Sequence, residues 1–212
     1  MTNLLILTVL FLLLFAAAEI LHKVFKWKAE NSRKFIHISV GLLALSFPMF
    51  FDVLWPVLLL CGGFFILLVL SRSFHFLPSV NGVKRKTEGS LLFPVMVALC
   101  FWVGLHYGDM LYFWLPIGLL AICDPLAAHM GNAKAENKKS MRGFYAFLLS
   151  AFVITSAYLV YIQSWDWQPS LILGLIMALV TALAEYFPRR GWDNATIPLA
   201  AMTVLLTAEN FR

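Results

Sequence analysis

Acidic side chains lie close to the ends of several strongly apolar segments of the chain. Asp124 and Glu185 each follow an apolar run and sit about one turn inside its end, while Asp193 and Asn194 open the last apolar segment. A carboxylate inside an apolar membrane helix is costly, so it usually faces a partner or a hydrated cavity. Carboxylate and amide oxygens around one site suit Mg²⁺, whose remaining waters phosphate oxygens can replace. Purely structural ion pairing with nearby Lys or Arg is the alternative.

Basic residues and glycines near the same segment ends are suited to phosphate groups. Arginine binds phosphate as a bidentate fork and lysine binds it as a point charge. A glycine lets backbone N–H groups approach a phosphate, above all at a helix N-terminus. His37 lies three positions after Lys34 on the same helical face, where it could bind phosphate, move a proton or simply pack between helices. The other candidates are Arg33, Gly131, Lys139, Arg142 and Gly143.

The elements that carry these residues are predicted to be membrane-spanning helices. Hydrophobic residues make up 61% of the 212 residues and charged residues only 13%, whereas soluble domains carry roughly 25% charged residues. A helix needs about 20 apolar residues to cross the bilayer, and about eight such segments occur. They are 3–22, 35–52, 54–71, 91–107, 109–128, 144–163, 169–186 and 193–208. We therefore predict an all-α, polytopic transmembrane helix bundle that forms a single catalytic domain over residues 1–212.

The connecting loops predict the orientation of the bundle. All Lys and Arg residues except Arg212 lie in the loops after the first, third, fifth and seventh segments. Because basic loops stay in the cytoplasm, both termini are expected on the non-cytoplasmic side. The net charge of +5 then reflects topology and contact with membrane lipids, and no nucleic-acid partner is expected. The candidate residues all fall at the cytoplasmic face, which in a bacterium would be that of the inner membrane.

The candidate residues also occur in a recognisable order of short motifs. Their order and spacing resemble the membrane family of CTP-dependent lipid kinases, which comprises dolichol kinase, phytol kinase and CTP-dependent diacylglycerol kinase and is distantly similar to the phosphatidate cytidylyltransferases. The motifs are Arg33-Lys34-Phe35-Ile36-His37 with Gly41, Glu88-Gly89-Ser90 with Pro94, Asp124-Pro125-Leu126-Ala127 with Gly131, Asn137-Lys138-Lys139-Ser140 with Gly143, Glu185 with Pro188, and Asp193-Asn194 with Pro198.

The resemblance implies phosphoryl transfer from CTP to a lipid alcohol with Mg²⁺. It implies metal and nucleotide contacts for Asp124, Asp193 and Asn194. It makes Glu185 a metal ligand or the base that acts on the alcohol. Phosphate contacts are implied for Lys139, Ser140 and Gly143. The chain departs from the family pattern at Cys123 in place of a glycine, at Asn132 in place of an arginine, and in the stretch Met141-Arg142-Gly143-Phe144.

An isoprenoid alcohol such as phytol or a polyprenol is the favoured acceptor, because a single-tailed alcohol suits a small bundle. The same charges would serve a cytidylyltransferase that makes a CDP-lipid from phosphatidate, so that reaction is the first alternative. A small transporter or a non-catalytic membrane protein is the second. A transporter is expected to carry its polar residues near the membrane midplane, and here they lie at one face. The oligomeric state is not predicted.

Overall fold

The computed structural model describes residues 1–74, 76–81, 87–131, 139–188 and 190–208. Within these ranges the chain forms helices and no strands, which confirms the all-α prediction. The helices are α1 (Thr2–Lys23), α2 (Ala29–Ala44), α3 (Phe47–Phe50), α4 (Leu54–Phe74), α5 (Pro78–Asn81), α6 (Gly89–Tyr107), α7 (Leu111–Gly118), α8 (Asp124–Met130), α9 (Met141–Ala157), α10 (Trp167–Tyr186) and α11 (Asp193–Ala208). A π-helical turn, Leu119–Cys123, joins α7 to α8, and another, Tyr158–Ile162, extends α9.

Six of the described helical runs are long and apolar enough to cross a membrane: α1, α4, α6, the run from α7 to α8, the extended α9, and α10. Large apolar side chains are exposed along them, for example Leu59 and Ile172, as expected of surfaces that face lipid. The chain is therefore an integral membrane protein. The predicted second and eighth spans form helices of only 16 residues, α2 and α11. The eight-span count and the position of the termini stay predictions.

The second predicted span is the one whose boundaries differ most from the structure. Helix α2 begins at Ala29, six positions before the predicted start, and it ends at Ala44. A single turn, α3, with Pro48 in its first turn follows after a break. The charged residues Glu30 and Arg33 form an ion pair across the first turn, which supports a helix that starts outside the apolar segment.

The run from α7 to α8 is the centre of the bundle. In the most apolar stretch of this run, 72% is buried within the protein, compared with 22% in the corresponding stretch of α1. Helix α9 packs along α10, α10 packs against α11, and α11 contacts α6 and α7. On the other side α2 contacts the π-helical turn, and α1 packs against α2. This arrangement surrounds Asp124, which lies at the end of the π-helical turn, with neighbours on several sides.

One end of the bundle, which we call the basic end, contains the ends of α1, α4, α8 and α10 and the starts of α2, α6, α9 and α11. The candidate residues that the structure describes lie at this end. Several basic residues used in the orientation argument fall outside the described ranges, as does Asn132. The basic residues are Lys84, Arg85, Lys86, Lys134, Lys138 and Arg189.

Candidate functional site at the basic end of the bundle

Three acids from three helices meet at the basic end. Carboxylate oxygens of Asp124 on α8, Glu185 on α10 and Asp193 on α11 lie within 4.8 Å of one another. Thr196 on α11 donates a hydrogen bond to the carbonyl of Ala184 on α10 at 2.6 Å, which holds the start of α11 beside Glu185. The sequence placed these acids at one membrane depth, and the fold brings their side chains together. We call this group the acidic cluster.

Lys139 is the cation inside the acidic cluster. Its Nζ lies 2.8 Å from Glu185 Oε1 and 2.8 Å from Asp193 Oδ2, and it also donates to the backbone carbonyl of Glu185. The carboxylate of Glu185 is 8% exposed and that of Asp193 is 18% exposed, so water can offset only part of their charge. One lysine against three acids leaves an excess of negative charge, which a divalent cation would neutralise.

The charge of Lys139 is stabilised by its surroundings. Burial alone lowers the pKa of this ammonium group, but Asp193 and Glu185 attract it and hydrogen-bond to it. The combined effect raises the pKa above the ordinary value of 10.5. Lys139 is therefore a permanent positive charge at neutral pH, available to the acids or to a phosphate group.

His37 links α2 to the central helix beside Asp124. Its Nε2 lies 3.1 Å from the carbonyl oxygen of Leu120 and 3.7 Å from Asp124 Oδ2. In a π-helical turn the carbonyl of one residue accepts a hydrogen bond from the N–H of the residue five positions later. The carbonyl of Leu120 would need the N–H of residue 125, but Pro125 has none. His37 takes the place of that donor. Because a carbonyl oxygen only accepts, Nε2 carries the proton, which leaves Nδ1 as the acceptor of the neutral ring.

The predicted phosphate loop forms the start of α9. Ser140 caps this helix, since its Oγ accepts a hydrogen bond from the backbone N–H of Gly143 at 3.1 Å. A side-chain carbon on Gly131 would lie 2.9 Å from Ser140 Oγ, and one on Gly143 would lie 2.9 Å from the carbonyl oxygen of Ala127. The two glycines thus allow the end of α8 and the start of α9 to touch. This close packing brings Lys139 to the acids.

Two further candidates lie at the polar mouth of a cavity. Arg33 donates from Nη2 to Glu30 at 2.9 Å, while its Nε is buried without a hydrogen-bond partner in the described structure. Asn194 is 5% exposed, and its Oδ1 is likewise buried without such a partner. Both residues line the cavity together with His37. Lys34 is half-buried on α2 and Arg142 is exposed on α9.

A junction of the chain holds Asp193 and Asn194 against α6. The backbone N–H of Glu88 donates to the carbonyl of Arg190 at 2.8 Å, and the Glu88 carboxylate binds Arg72 of α4 at 2.5 Å. Gly191 has φ +84°, and any side chain there would collide with Gly89. A side-chain carbon on Gly89 would in turn collide with Asn194. The Glu88-Gly89 motif therefore positions the start of α11.

The acids offer the oxygen ligands that Mg²⁺ prefers. Around an octahedral Mg²⁺, adjacent ligands lie about 3.0 Å apart and opposite ligands about 4.2 Å apart, while the three oxygens of the acidic cluster lie within 4.8 Å of one another. Asp124, Glu185 and Asp193 thus fit a magnesium ion with a small closing movement or a bridging water, provided that Lys139 withdraws from the space between Glu185 and Asp193.

The chain is 28% identical over 201 residues to a phytol kinase of Synechocystis sp., an alignment that covers 88% of this chain and 83% of that protein. This similarity confirms the resemblance to the membrane lipid kinases and the prediction that the protein is a kinase. No family model and no solved structure matches the chain.

Some contacts of the site were not predicted from the sequence. The need of the Leu120 carbonyl for a donor outside its own helix could have been inferred, because Pro125 lacks the N–H that would bond to it. The placement of Lys139 between two acids and the contact of Gly89 with Asn194 join positions far apart in the chain, and no local pattern indicates them.

Proposed function

We propose that the protein is a CTP-dependent kinase of a lipid alcohol, with Mg²⁺ as its cofactor and its site at the cytoplasmic face. The observation that carries the proposal is the acidic cluster with Lys139, next to the polar mouth of an apolar cavity where His37 lies 3.7 Å from Asp124. Phosphoryl transfer requires mainly positioning and neutralisation of charge. The acids and Lys139 can provide the positioning and the charge neutralisation, and the neighbouring apolar cavity offers a place for a lipid chain.

The acids take different parts in this proposal. Glu185 and Asp193 both contact Lys139, and we assign them to the magnesium ion and the donor phosphates. Asp124 lies beside the cavity mouth, since His37 lines the cavity and is 3.7 Å away. We assign to Asp124 acceptance of the alcohol proton, with its second oxygen free to share the ion. The ion, when bound, supplies charge neutralisation at the transferred phosphoryl group.

Lys139 and His37 have supporting roles. The ammonium of Lys139 neutralises the acids in the metal-free protein and contacts donor phosphates once a divalent cation takes over that task. Ser140, Gly143 and the N-terminus of α9 lie next in the chain, where backbone N–H groups suit phosphate. His37 holds the Leu120 carbonyl through its Nε2 proton and lies 3.7 Å from Asp124, beside which it keeps the central helix in place. We therefore regard His37 as a positioning residue.

The phytol kinase relative makes an isoprenoid alcohol the first acceptor to test. Purified protein is incubated with Mg²⁺, an isoprenoid alcohol or phosphatidate, and CTP labelled at either the α or the γ position; ATP serves as the competing donor. A kinase places only γ label in the lipid and releases CDP. Label from the α position in the lipid would instead indicate CDP-lipid synthesis, and absence of label from either position with every lipid would contradict both.

A further inference from the structure

A cavity extends from His37 and Asn194, which lie beside the acidic cluster, into the apolar part of the bundle. It lies between α1, α2, α4 and α6. At the basic end its wall includes Arg33, His37 and Asn194, and farther in it is lined almost entirely by aliphatic and aromatic side chains. Its last wall residues on α2 and α3 are Ala44 and Phe47. The cavity thus has one polar end and one apolar end.

The length of the cavity follows from the helix that borders it. From Arg33 to Ala44 the helix α2 advances eleven residues, which is about 16 Å at 1.5 Å per residue. The hydrocarbon core of a bilayer is about 30 Å thick, so one leaflet provides about 15 Å. A chain that starts at the acidic cluster and fills the cavity therefore reaches about the middle of the membrane.

The apolar end is closed by aromatic rings. Phe11 and Phe47 meet edge to face with their ring centres 5.8 Å apart, and Phe47 also stacks on Phe113. Phe11 and Phe47 are 3% and 2% exposed. Ala44, 1% exposed, supplies the smallest side chain at this end. A longer chain would have to displace this packed group, which costs several contacts.

The polar end offers hydrogen-bonding groups that a hydroxyl could use. Asn194 Oδ1 and Arg33 Nε are buried there without hydrogen-bond partners in the described residues. Pro94 cannot donate to the carbonyl of Ser90, four positions earlier, and Ser90 lines the same end. An oxygen-bearing head at this end and a hydrocarbon chain beyond it complement both parts of the cavity.

We propose that this cavity holds the chain of the acceptor alcohol and selects its length, accepting a single chain about one leaflet long and rejecting much longer ones. This inference rests on the proposed kinase function and adds the specificity-determining residues Ala44, Phe11 and Phe47. Ala44 sets the depth from the side of α2, and the two phenylalanines form the closed end.

The test compares phosphorylation of farnesol, geranylgeraniol and a long polyprenol by wild type, Ala44→Leu and Ala16→Leu. Ala16 is exposed on α1, so its variant adds the same side chain on the lipid-facing surface. In wild type, kcat/KM is far lower for the polyprenol than for either shorter alcohol. Ala44→Leu shortens the cavity and shifts the ratio of geranylgeraniol to farnesol by roughly 10–200-fold toward farnesol, and Ala16→Leu leaves the ratio unchanged. An unchanged ratio in folded Ala44→Leu, or a wild type that prefers the polyprenol, overturns the inference.

A second measurement does not depend on turnover. Wild-type protein is photolabelled with a geranylgeraniol analogue that carries a diazirine at the end of its chain, and labelled peptides are identified by mass spectrometry. Labelling of the segments around Phe11, Ala44 and Phe47 that excess geranylgeraniol suppresses supports the cavity even if no phosphorylation occurs. Labelling that is confined to exposed residues of other helices, such as Leu149 on α9 and Ile172 on α10, or that excess alcohol does not suppress, contradicts the cavity while leaving the kinase proposal intact.

Discussion

Replacing Lys139 by methionine removes the positive charge from the acidic cluster while it keeps a side chain of similar length. At 2.8 Å from each of two carboxylates, the lysine gains a gross attraction of about 6 kcal/mol per pair at an effective dielectric of 20. Desolvation offsets most of this energy. Removing one partner of a buried pair costs about 3–5 kcal/mol, and an exposed pair contributes about 0–1 kcal/mol.

Lys139 lies between these limits, because its side chain is 26% exposed while that of Glu185 is 8% exposed. We expect Lys139→Met to lower the free energy of unfolding by about 2–3 kcal/mol. For a chain of this size such a loss lowers Tm by about 4–12 °C. The matched control is Lys23→Met, whose ion pair with Glu19 involves a lysine that is 59% exposed. It should cost less than about 1 kcal/mol.

Thermal unfolding of the solubilised protein, with Mg²⁺ and with EDTA, measures both parts of the expectation. In EDTA, Lys139→Met unfolds well below wild type and Lys23→Met unfolds close to it. Mg²⁺ raises Tm more in Lys139→Met than in wild type, because the acids are no longer occupied by the ammonium group. Equal effects of the two substitutions in EDTA, or equal stabilisation of wild type and Lys139→Met by Mg²⁺, would refute the reasoning.

Three further predictions follow from other parts of the site. Gly191→Ala places a side chain at φ +84° against Gly89 and should lower the free energy of unfolding by about 1–3 kcal/mol in denaturant titration. The control is Gly63→Ala on α4, whose new side chain meets nothing within 4 Å and should raise the free energy of unfolding by about 0.5–1 kcal/mol. Equal effects of the two substitutions would contradict the described junction. Arg72 hydrogen-bonds to Glu88 and lowers the pKa of that carboxyl below its ordinary value of 4.5. The contact therefore stabilises the fold above pH 4.5 and is lost as the pH falls through the lowered pKa. In Arg72→Gln the pKa of Glu88, followed by infrared spectroscopy, should rise toward its ordinary value, and an unchanged pKa would rule the pairing out. His37→Gln keeps an N–H donor for the Leu120 carbonyl and should retain kcat better than His37→Leu, with the shape of the pH profile of kcat/KM preserved; equal loss in both would speak against a positioning role.

Much of the fold could be predicted because membrane residence imposes simple patterns. Apolar stretches bounded by basic loops predicted helices near the observed ones, and the common depth of Asp124, Glu185 and Asp193 predicted their proximity. The predicted start of the short helix α2 was too late in the chain, because residues 30–34 are polar or charged and a hydropathy pattern assigns them to a loop. The first turn of α2 is stabilised by the ion pair of Glu30 and Arg33 instead.

The finer structure of the site could not be predicted because it depends on contacts between distant helices. Lys139 was assigned to phosphate, and only the fold places it between Glu185 and Asp193. Gly131 and Gly143 were assigned to phosphate as well, and in the structure both permit contact between α8 and α9. The cavity could not be predicted from the sequence, because the residues that line it, such as Ala44, are of the same types as the residues that face lipid.

The most direct test of the account is Mg²⁺-dependent transfer of the γ-phosphate of CTP to geranylgeraniol by purified wild-type protein, measured beside Asp124→Asn and Asp193→Asn. We predict transfer in wild type that EDTA abolishes, and no transfer above background in either variant although circular dichroism shows both to be folded in Mg²⁺-free buffer. Transfer that persists in both folded variants, or that needs no divalent cation, would contradict the assignment of the acidic cluster as the site of phosphoryl transfer.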